Sequence, residues 1–288
     1  MAWGRKHVKH VIEPIDWLGR WRALVVGRQE QAERWRGSPA REEDCWAATV
    51  GRFRELTATL REDEPFWATV RSVVRPDDTV LDIGAGAGRY TLPLAPLVRR
   101  IVALDPSPAM CQALEEGIAE RRLTNVQVVR GRWPDLAAQI EPADVVICAH
   151  AMYWSAEIGP FLRALADHTR RLALLTLRVY SVDAWLDDLA RRLRGEPRIP
   201  EPVALDLIGA LSTLDLWPDV RIVPGYLRSY ASLDELAAHA ATLLAFPPDD
   251  APLDFLREAV RPYASEREGR VWLDSRWRLA AILSWQAT

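Results

Sequence analysis

The sequence predicts an α/β protein built on a doubly wound, mostly parallel sheet. From residue 79 onward, short apolar segments alternate with amphipathic ones, the pattern of parallel strands joined by helices on both faces of a sheet. A glycine-rich stretch, TVLDIGAGAGRY at residues 79–90, follows the first of these strands. Glycines in a strand-to-helix turn let the main chain bend sharply and approach a bound ligand. Together, the two observations predict a sheet that binds a nucleotide-like ligand at this turn.

The alternation assigns five strands, and the C-terminal part of the chain contributes two more. The predicted strands are TVLDIG (79–84), RRIVALD (99–105), NVQVVRG (125–131), ADVVICAH (143–150), RRLALLTLRV (170–179), DVRIVPGYLRSY (219–230) and RWRLAAILSWQ (276–286). The helices predicted among them are RYTLPLAPLV (89–98), SPAMCQALEEGIAERR (107–122), IGPFLRALADHT (158–169), SVDAWLDDLARRLRG (181–195), VALDLIGALSTLD (203–215) and SLDELAAHAATLLA (232–245). We therefore expect a seven-stranded sheet covered by helices on both faces.

The segment before the sheet has a different pattern. In residues 14–74, apolar side chains such as Trp17, Trp21 and Val25 recur at the spacing of one helix face, which predicts helices. The predicted organisation is an N-terminal helical extension or lid (1–75) and a main domain (76–288) that includes a helical cap insertion at about 181–217.

Composition excludes several classes of protein. The 288 residues carry a formal net charge of −3, so no global positive field attracts nucleic acid or an anionic membrane. Cys45, Cys111 and Cys148 are far apart, which indicates reduced thiols of a cytoplasmic protein, without disulfides or a zinc site. No window approaches the ~18 apolar residues of a membrane span. We expect a monomer or a homodimer without a metal.

The details of the glycine turn narrow the choice of ligand. The dinucleotide fingerprint G-x-G-x-x-G requires glycine where this chain has Arg89, and Gly88 comes one residue early. Asp82, two residues before Gly84, adds a carboxylate that would repel a pyrophosphate. A cofactor with a positive amino group and no phosphate would favour this carboxylate. S-adenosylmethionine has an ammonium, a sulfonium, a ribose and an adenine, and no phosphate.

Two stretches carry a resemblance to a known family. VLDIGAGAGRYTLPLA (80–95) resembles the first motif of class I S-adenosylmethionine-dependent methyltransferases, and VALDPSPAMCQAL (102–114) resembles their second. The resemblance covers roughly residues 65–180 and implies the Rossmann-like methyltransferase fold, with S-adenosylmethionine as cofactor and a small molecule as acceptor.

The resemblance also implies roles for individual residues. The methionine part of the cofactor would lie against Asp82 and the turn, Asp105 would accept hydrogen bonds from both ribose hydroxyls, and Met110 would pack on the adenine. The residues expected at the cofactor are Asp82, Gly84, Ala85, Gly86, Gly88, Asp105, Pro106, Met110, Arg132, Trp133 and Ala149.

One position departs from the family pattern. Where the family often has an acidic residue after the third strand, this chain has Arg132, which has no acceptor for the adenine amine. Trp133 is expected either to stack on the purine or to lie in the core, and Asp135 is an alternative acceptor if its loop curls back.

The end of the fourth strand predicts the acceptor site. Because ligands bind beyond the carboxyl ends of parallel strands, His150, Tyr153 and Trp154 are expected near the transferable methyl group. His150 and Tyr153 are the candidate catalytic residues, with His150 as a base or as a local hydrogen-bond partner. Trp154, Trp17 and Trp21 are expected either to line an apolar acceptor site or to pack in the core.

Two other functions remain compatible with the sequence. An RNA methyltransferase would share the fold, although the charge balance and the absence of a recognisable RNA-binding module disfavour it. A non-catalytic S-adenosylmethionine-binding or scaffold protein would explain the unusual Arg132.

Asp105 gives the sharpest test at this stage. We expect Asp105→Ala to lower the affinity for S-adenosylhomocysteine at least about tenfold, because each hydrogen bond to a charged group contributes roughly 1.5–3 kcal/mol. Titration calorimetry measures the affinity, and the melting temperature reports on the fold, which the sequence predicts to survive. An unchanged affinity would show that Asp105 is only a helix cap.

Overall fold

The central element of the structure is a seven-stranded sheet. The computed structural model describes residues 14–37, 46–181, 183–225, 229–246, 251–273 and 278–287. The strands of this sheet are β1 Thr79–Ile83, β2 Arg100–Asp105, β3 Val126–Arg130, β4 Ala143–Ala149, β5 Thr169–Arg178, β6 Asp219–Pro224 and β10 Leu279–Gln286. Their order is β3-β2-β1-β4-β5-β10-β6, and β10 is antiparallel to both of its neighbours. The predicted mostly parallel sheet is confirmed.

Helices cover both faces of this sheet. The helices of the main domain are α1 Trp17–Arg36, α2 Val50–Ala58, α3 Pro65–Val73, α4 Thr91–Leu94, α5 Pro108–Glu120, α6 Ile158–Asp167, α7 Asp187–Arg194 and α8 Ala204–Ser212. Two more helices, α9 Leu233–Leu243 and α10 Leu253–Val260, lie in a small lobe beside the sheet. Along β1, Leu81 packs with Trp21 of α1 and Phe161 of α6, whereas Val80 packs with Phe66 of α3 on the opposite side. This alternation follows from the two-residue period of a strand.

Local sequence signals explain where α4 and α5 begin and end. The predicted helix at 89–98 is only one α-helical turn, followed by a 3-10 turn at Ala95–Leu97, because Pro93 and Pro96 have no N–H for a longer helix. At α5, the Ser107 hydroxyl accepts the N–H of Met110 at 3.1 Å, and Pro108 occupies the first position.

The C-terminal half differs most from the sequence prediction. The stretch predicted as one strand at 219–230 supplies β6 to the large sheet and β7 (Ser229–Tyr230) to a second sheet, and its residues 226–228 lie outside the described residues. That second sheet is antiparallel, with β7, β8 (Ala264–Arg267) and β9 (Arg270–Leu273) in the order β7-β9-β8. Together with α9 and α10, it forms a small lobe that the sequence analysis missed.

The small lobe has its own apolar core. Leu236 and Ala240 of α9 pack with Leu256 and Val260 of α10, and Leu189 of α7 joins them. The predicted insertion at 181–217 thus contacts a second inserted segment, which lies between β6 and β10.

The N-terminal helix α1 is part of the main domain. Trp21 is fully buried, and its indole N–H donates to the backbone carbonyl of Ser155 at 2.8 Å. Trp17 lies on Gly209 of α8, where an added Cβ would come within 2.0 Å of the indole. Arg20 also binds the buried carboxylate of Asp206 at 2.7 Å. Residues 1–13 and 38–45 of the predicted extension, with Cys45, lie outside the described residues.

Substitution of Trp21 tests whether α1 packs on the main domain. We expect Trp21→Ala to lower the free energy of unfolding by about 3–5 kcal/mol, the cost of truncating a large buried aromatic side chain. Thermal or urea unfolding measures the change. Trp217→Ala is the matched control, because the Trp217 side chain is 70% exposed and its removal should change stability by no more than about 0.5 kcal/mol. Equal effects of the two substitutions would contradict the docking of α1.

Candidate functional site

The three glycines of the turn have different surroundings. Gly84, Gly86 and Gly88 have φ angles of +78°, +56° and +85°, which residues other than glycine rarely adopt. A Cβ on Gly84 would lie 2.1 Å from the Cβ of Ala151, and one on Gly88 would lie 2.5 Å from Leu114. A Cβ on Gly86 would meet nothing within 4 Å. The outer glycines therefore permit close packing, whereas Gly86 borders the open space that a ligand can enter.

Asp105 ties the turn to the start of α5. One carboxylate oxygen accepts the N–H of Gly86 at 2.8 Å, and the other accepts the N–H of Ser107 at 2.9 Å. The side chain is only 8% exposed. Asp105 therefore also has a structural role, and Asp105→Ala should lower the melting temperature as well as the affinity for the cofactor. Its role at the ribose stays a prediction.

Asp82 is a buried carboxylate at the base of the turn. It is 2% exposed and accepts a hydrogen bond from the Thr91 hydroxyl at 2.6 Å. Burial, with the nearby negative charge of Asp105, raises the pKa of Asp82 to about 7, although the Thr91 hydroxyl opposes this shift. A ligand ammonium beside Asp82 would favour the ionised form.

His150 follows β4 in an unusual backbone conformation. Its φ is +55°, which is uncommon for a residue other than glycine, and its N–H donates to the carbonyl of Thr176 at 2.9 Å. Its Nδ1 lies 3.1 Å from the Tyr153 hydroxyl, which accepts the backbone N–H of Arg178 at 2.8 Å. The network is satisfied when the hydroxyl donates to Nδ1, which leaves the ring proton of His150 on Nε2.

The surroundings of His150 keep its ring neutral. Part of the side chain is exposed, but the protein packed around it, and then the positive charges of Arg178 and Arg89, lower the pKa of His150 below its ordinary value. The phenol of Tyr153 is buried, and this burial raises its pKa. Neither group supplies a charge at neutral pH, so the formal charges beside them belong to the two arginines and to Glu201.

A partly buried ion cluster supports the pair of His150 and Tyr153 from behind. Arg178, the last residue of β5, binds both oxygens of Glu201 through Nη1, at 2.7 and 2.9 Å, and its guanidinium lies 5.2 Å from the centre of the Tyr153 ring. Arg28 of α1 contacts the same carboxylate at 3.3 Å. Glu201 is 6% exposed. The cluster thus connects α1, β5 and the connector before α8 to Tyr153.

Aromatic residues lie on the open side of the site. Trp154 is 52% exposed, and its ring packs edge-to-face on Trp46, with 5.7 Å between ring centres. Trp46 packs in the same way on Phe53 of α2, and these two rings also contact Met110 and its neighbours at the start of α5. Trp46 and α2 therefore cover the region in which the sequence analysis places the adenine.

Trp133 lies in the core and not at the site opening. It is 6% exposed, its indole N–H donates to the Phe161 carbonyl at 3.1 Å, and its ring packs edge-to-face on His168. Of the two expectations for Trp133, the structure supports core packing over stacking on the purine. Arg132 and Pro106 are exposed at the loop ends, and Ala85 is buried in the turn.

The structure corrects one predicted substrate residue and adds others to the site. Trp21 exposes no surface to an acceptor, because the indole is buried and bonded to Ser155. Thr91, Arg178 and Glu201 were not predicted; only Thr91, in the first turn after the glycines, was near enough in sequence to be inferred.

Among the described residues, no group of three or more His, Cys, Asp and Glu side chains is arranged to hold a metal ion, and no helix could cross a membrane.

Comparisons with known proteins are consistent with this geometry. Residues 80–172 match the family model described as "Methyltransferase domain". The chain is 33% identical over 78 residues to the yeast protein named "Probable S-adenosylmethionine-dependent methyltransferase CRG1", covering 26% of this chain and 27% of the relative. It is 26% identical over 157 residues to ribosomal RNA small subunit methyltransferase A of Nocardia farcinica, covering 52% and 54%.

One relative also has a solved structure. The chain is 27% identical over 92 residues to the uncharacterised methyltransferase YcgJ of Bacillus subtilis, covering 32% of this chain and 36% of YcgJ. The YcgJ crystal structure superposes with a TM-score of 0.51 and 16% identity over 76% of this chain and 97% of that chain, which shows a shared fold. The chain spans about a quarter to a half of the length of these three curated relatives in the sequence matches.

The buried carboxylate of Asp82 predicts a pH dependence of stability. Between its ordinary unfolded pKa of ~3.9 and the folded value of about 7, the folded protein holds the extra proton, so the free energy of unfolding falls as pH rises. We expect the melting temperature of Asp82→Asn, relative to the wild type, to rise between pH 5 and pH 8. Asp63→Asn is the control, because Asp63 forms only an exposed pair with Arg61. A difference that stays constant with pH would contradict the raised pKa.

Proposed function

Since the chain contains a class I S-adenosylmethionine-dependent methyltransferase domain, we propose that the protein transfers the cofactor's methyl group to a small-molecule acceptor by in-line displacement. Bound S-adenosylmethionine supplies a methyl group activated by a positive sulfonium. The protein must align the acceptor with this group and exclude water from the site. The observation that carries the proposal is the turn at Gly86, which borders open space and whose N–H is held by the buried carboxylate of Asp105.

The residues around the turn fit the chemistry of the cofactor. Asp82 would face the ammonium group, a contact that favours the ionised form of a carboxylate whose pKa is raised by burial. Asp105, which accepts the N–H groups of Gly86 and Ser107, would also accept hydrogen bonds from the ribose hydroxyls. Met110 and Ala87, covered by Trp46, supply an apolar surface for the adenine.

The covered site favours a small acceptor over a folded RNA. Trp21 fixes α1 against Ser155, and Trp46 places the start of the α2 segment against Trp154, so helices border the site on this side. The net charge of −3 offers no overall attraction to phosphates. Several relatives are named as ribosomal RNA methyltransferases, and for that reason RNA belongs among the acceptors tested.

Binding and transfer experiments test this function. Isothermal titration is expected to show binding of S-adenosylhomocysteine and no binding of NAD, because the carboxylates of the site would repel the negative pyrophosphate of NAD. Methyl-labelled S-adenosylmethionine incubated with a small-molecule extract and, separately, with total RNA is expected to label the extract. Gly86→Val serves as the matched variant, since a side chain there fills the ligand space and strains a positive φ. Absence of S-adenosylhomocysteine binding to the wild type would refute the proposal, and label only in RNA would reassign the acceptor.

A further inference from the structure

The side chains around His150 restrict the kind of atom that can accept a methyl group. A hydroxyl or an ammonium must lose a proton before or during the transfer, which requires a base. A carboxylate is already ionised at neutral pH and needs none. The question is therefore whether a base is present beside the acceptor space.

The carboxylates of the site are already engaged in the described structure. Asp82 accepts from Thr91 at the base of the turn, and the two oxygens of Asp105 accept backbone N–H groups. Glu201 is bound by Arg178 and Arg28. Each of these groups is at most 8% exposed, and each has a structural partner that holds it in place.

The imidazole and the thiol at the end of β4 are also poor bases. The Tyr153 hydroxyl accepts the N–H of Arg178, and when it donates its own proton to Nδ1 of His150, Nε2 carries the ring proton and presents a donor. The pKa of His150 is lowered by its surroundings. Cys148 is fully buried, and this burial raises the pKa of its thiol.

Arginine side chains lie on the far side of this network. The Arg178 guanidinium is 5.2 Å from the centre of the Tyr153 ring, and the His150 ring stacks on that ring. Glu201 offsets part of the Arg178 charge through contacts at 2.7 and 2.9 Å, and Arg28 contacts the same carboxylate. The positive charges of Arg178 and Arg89 lower the pKa of His150. The same charges favour an anion beside His150 over an ammonium.

We propose that the acceptor is a carboxylic acid with an apolar body, bound as its carboxylate beside His150 within the field of Arg89 and Arg178 and converted to its methyl ester. The exposed Trp154 ring, braced by Trp46, supplies the surface for the apolar body. The inference rests on the methyl transfer proposed above and names the substrate class for the same site.

The proposed step balances without a base. A lone pair of the carboxylate oxygen forms the new O–CH3 bond while the S–CH3 bond breaks, and the electrons of that bond stay on sulfur. The negative charge of the acceptor and the positive charge of the sulfonium cancel, so no proton is released. The N–H on Nε2 of His150 would donate a hydrogen bond to the other carboxylate oxygen and orient it.

A matched ligand pair tests recognition. Indole-3-acetate and indole-3-acetamide have the same ring and differ in the charge of the group that would face His150. In titrations of the S-adenosylhomocysteine complex, we expect the acid to bind at least about tenfold more tightly than the amide, as expected for charge-assisted hydrogen bonds. Arg89→Gln should reduce this preference, whereas Arg54→Gln, which removes an exposed pair with Glu116 on α5, should not. Absence of an acid preference in the wild type, including binding of neither ligand, would overturn the proposal.

The product distinguishes this inference from the function on which it rests. With methyl-labelled S-adenosylmethionine and an extract of small organic acids, amines and phenols, we expect label that is released as volatile methanol by mild alkali, a property of methyl esters. The rate should be flat between pH 6 and pH 9, because no base must be deprotonated. Alkali-stable label, or a rate that rises tenfold per pH unit, would refute the carboxylate acceptor and leave methyl transfer intact. Failure to bind S-adenosylhomocysteine would refute both.

Discussion

The carboxylate of Asp105 holds together the two segments on which the whole site depends. Its oxygens accept the N–H of Gly86 in the glycine turn and the N–H of Ser107 at the start of α5. The N–H groups of Gly84 and Ala85 bind the Leu104 carbonyl at 2.8 and 3.0 Å and hold the base of the turn on β2, so the Asp105 carboxylate fixes the outer part of the turn, whose glycines have high conformational freedom. The positive φ angles of the three glycines and the close packing of Gly84 on Ala151 then complete a rigid rim around the open space at Gly86.

The ion cluster of Arg178, Glu201 and Arg28 sets the electrostatic environment on the side of the site where the methyl acceptor is proposed to bind. Arg178 ends β5, and its pairing keeps the buried carboxylate of Glu201 compatible with folding, because an unpaired buried charge would be strongly destabilising. Glu201 comes from the connector before α8, and Arg28 comes from α1. Elements outside the shared sheet thus determine the electrostatic environment of His150, which suits a fold in which the sheet is common and the acceptor varies.

The sheet and the cofactor side were predictable because their signals are local. Apolar strands, the glycine turn and the Ser107-Pro108 cap are contiguous stretches, and each folds as its pattern predicts. The sequence could not show whether Trp133 and Trp21 lie in the core or at the binding site, because a tryptophan side chain suits both environments. The hydrogen bonds of the two indoles to backbone carbonyls, seen only in the structure, place them in the core. The pairing of Arg178 with Glu201 depends on how an insertion folds back, which no periodicity encodes. The hairpin of β8 and β9 did have a sequence signal, the glycine at position 269: the two-residue loop Glu268-Gly269 has positive φ at both positions, a conformation that glycine adopts readily.

The position of β10 has a consequence for how the chain reaches its native state during synthesis. This strand lies between β5 and β6, yet it is made after both of them and after the small lobe. Until β10 emerges from the ribosome, β5 and β6 each present an unpaired edge, and the side chains that pack on Leu283 and Ala281 have no partner there. Unpaired edges and bare apolar surface are the features that lead nascent chains to associate wrongly or to be bound by chaperones. Completion of the sheet is therefore a late event, and truncations that remove β10 should yield insoluble protein even though the glycine turn is intact.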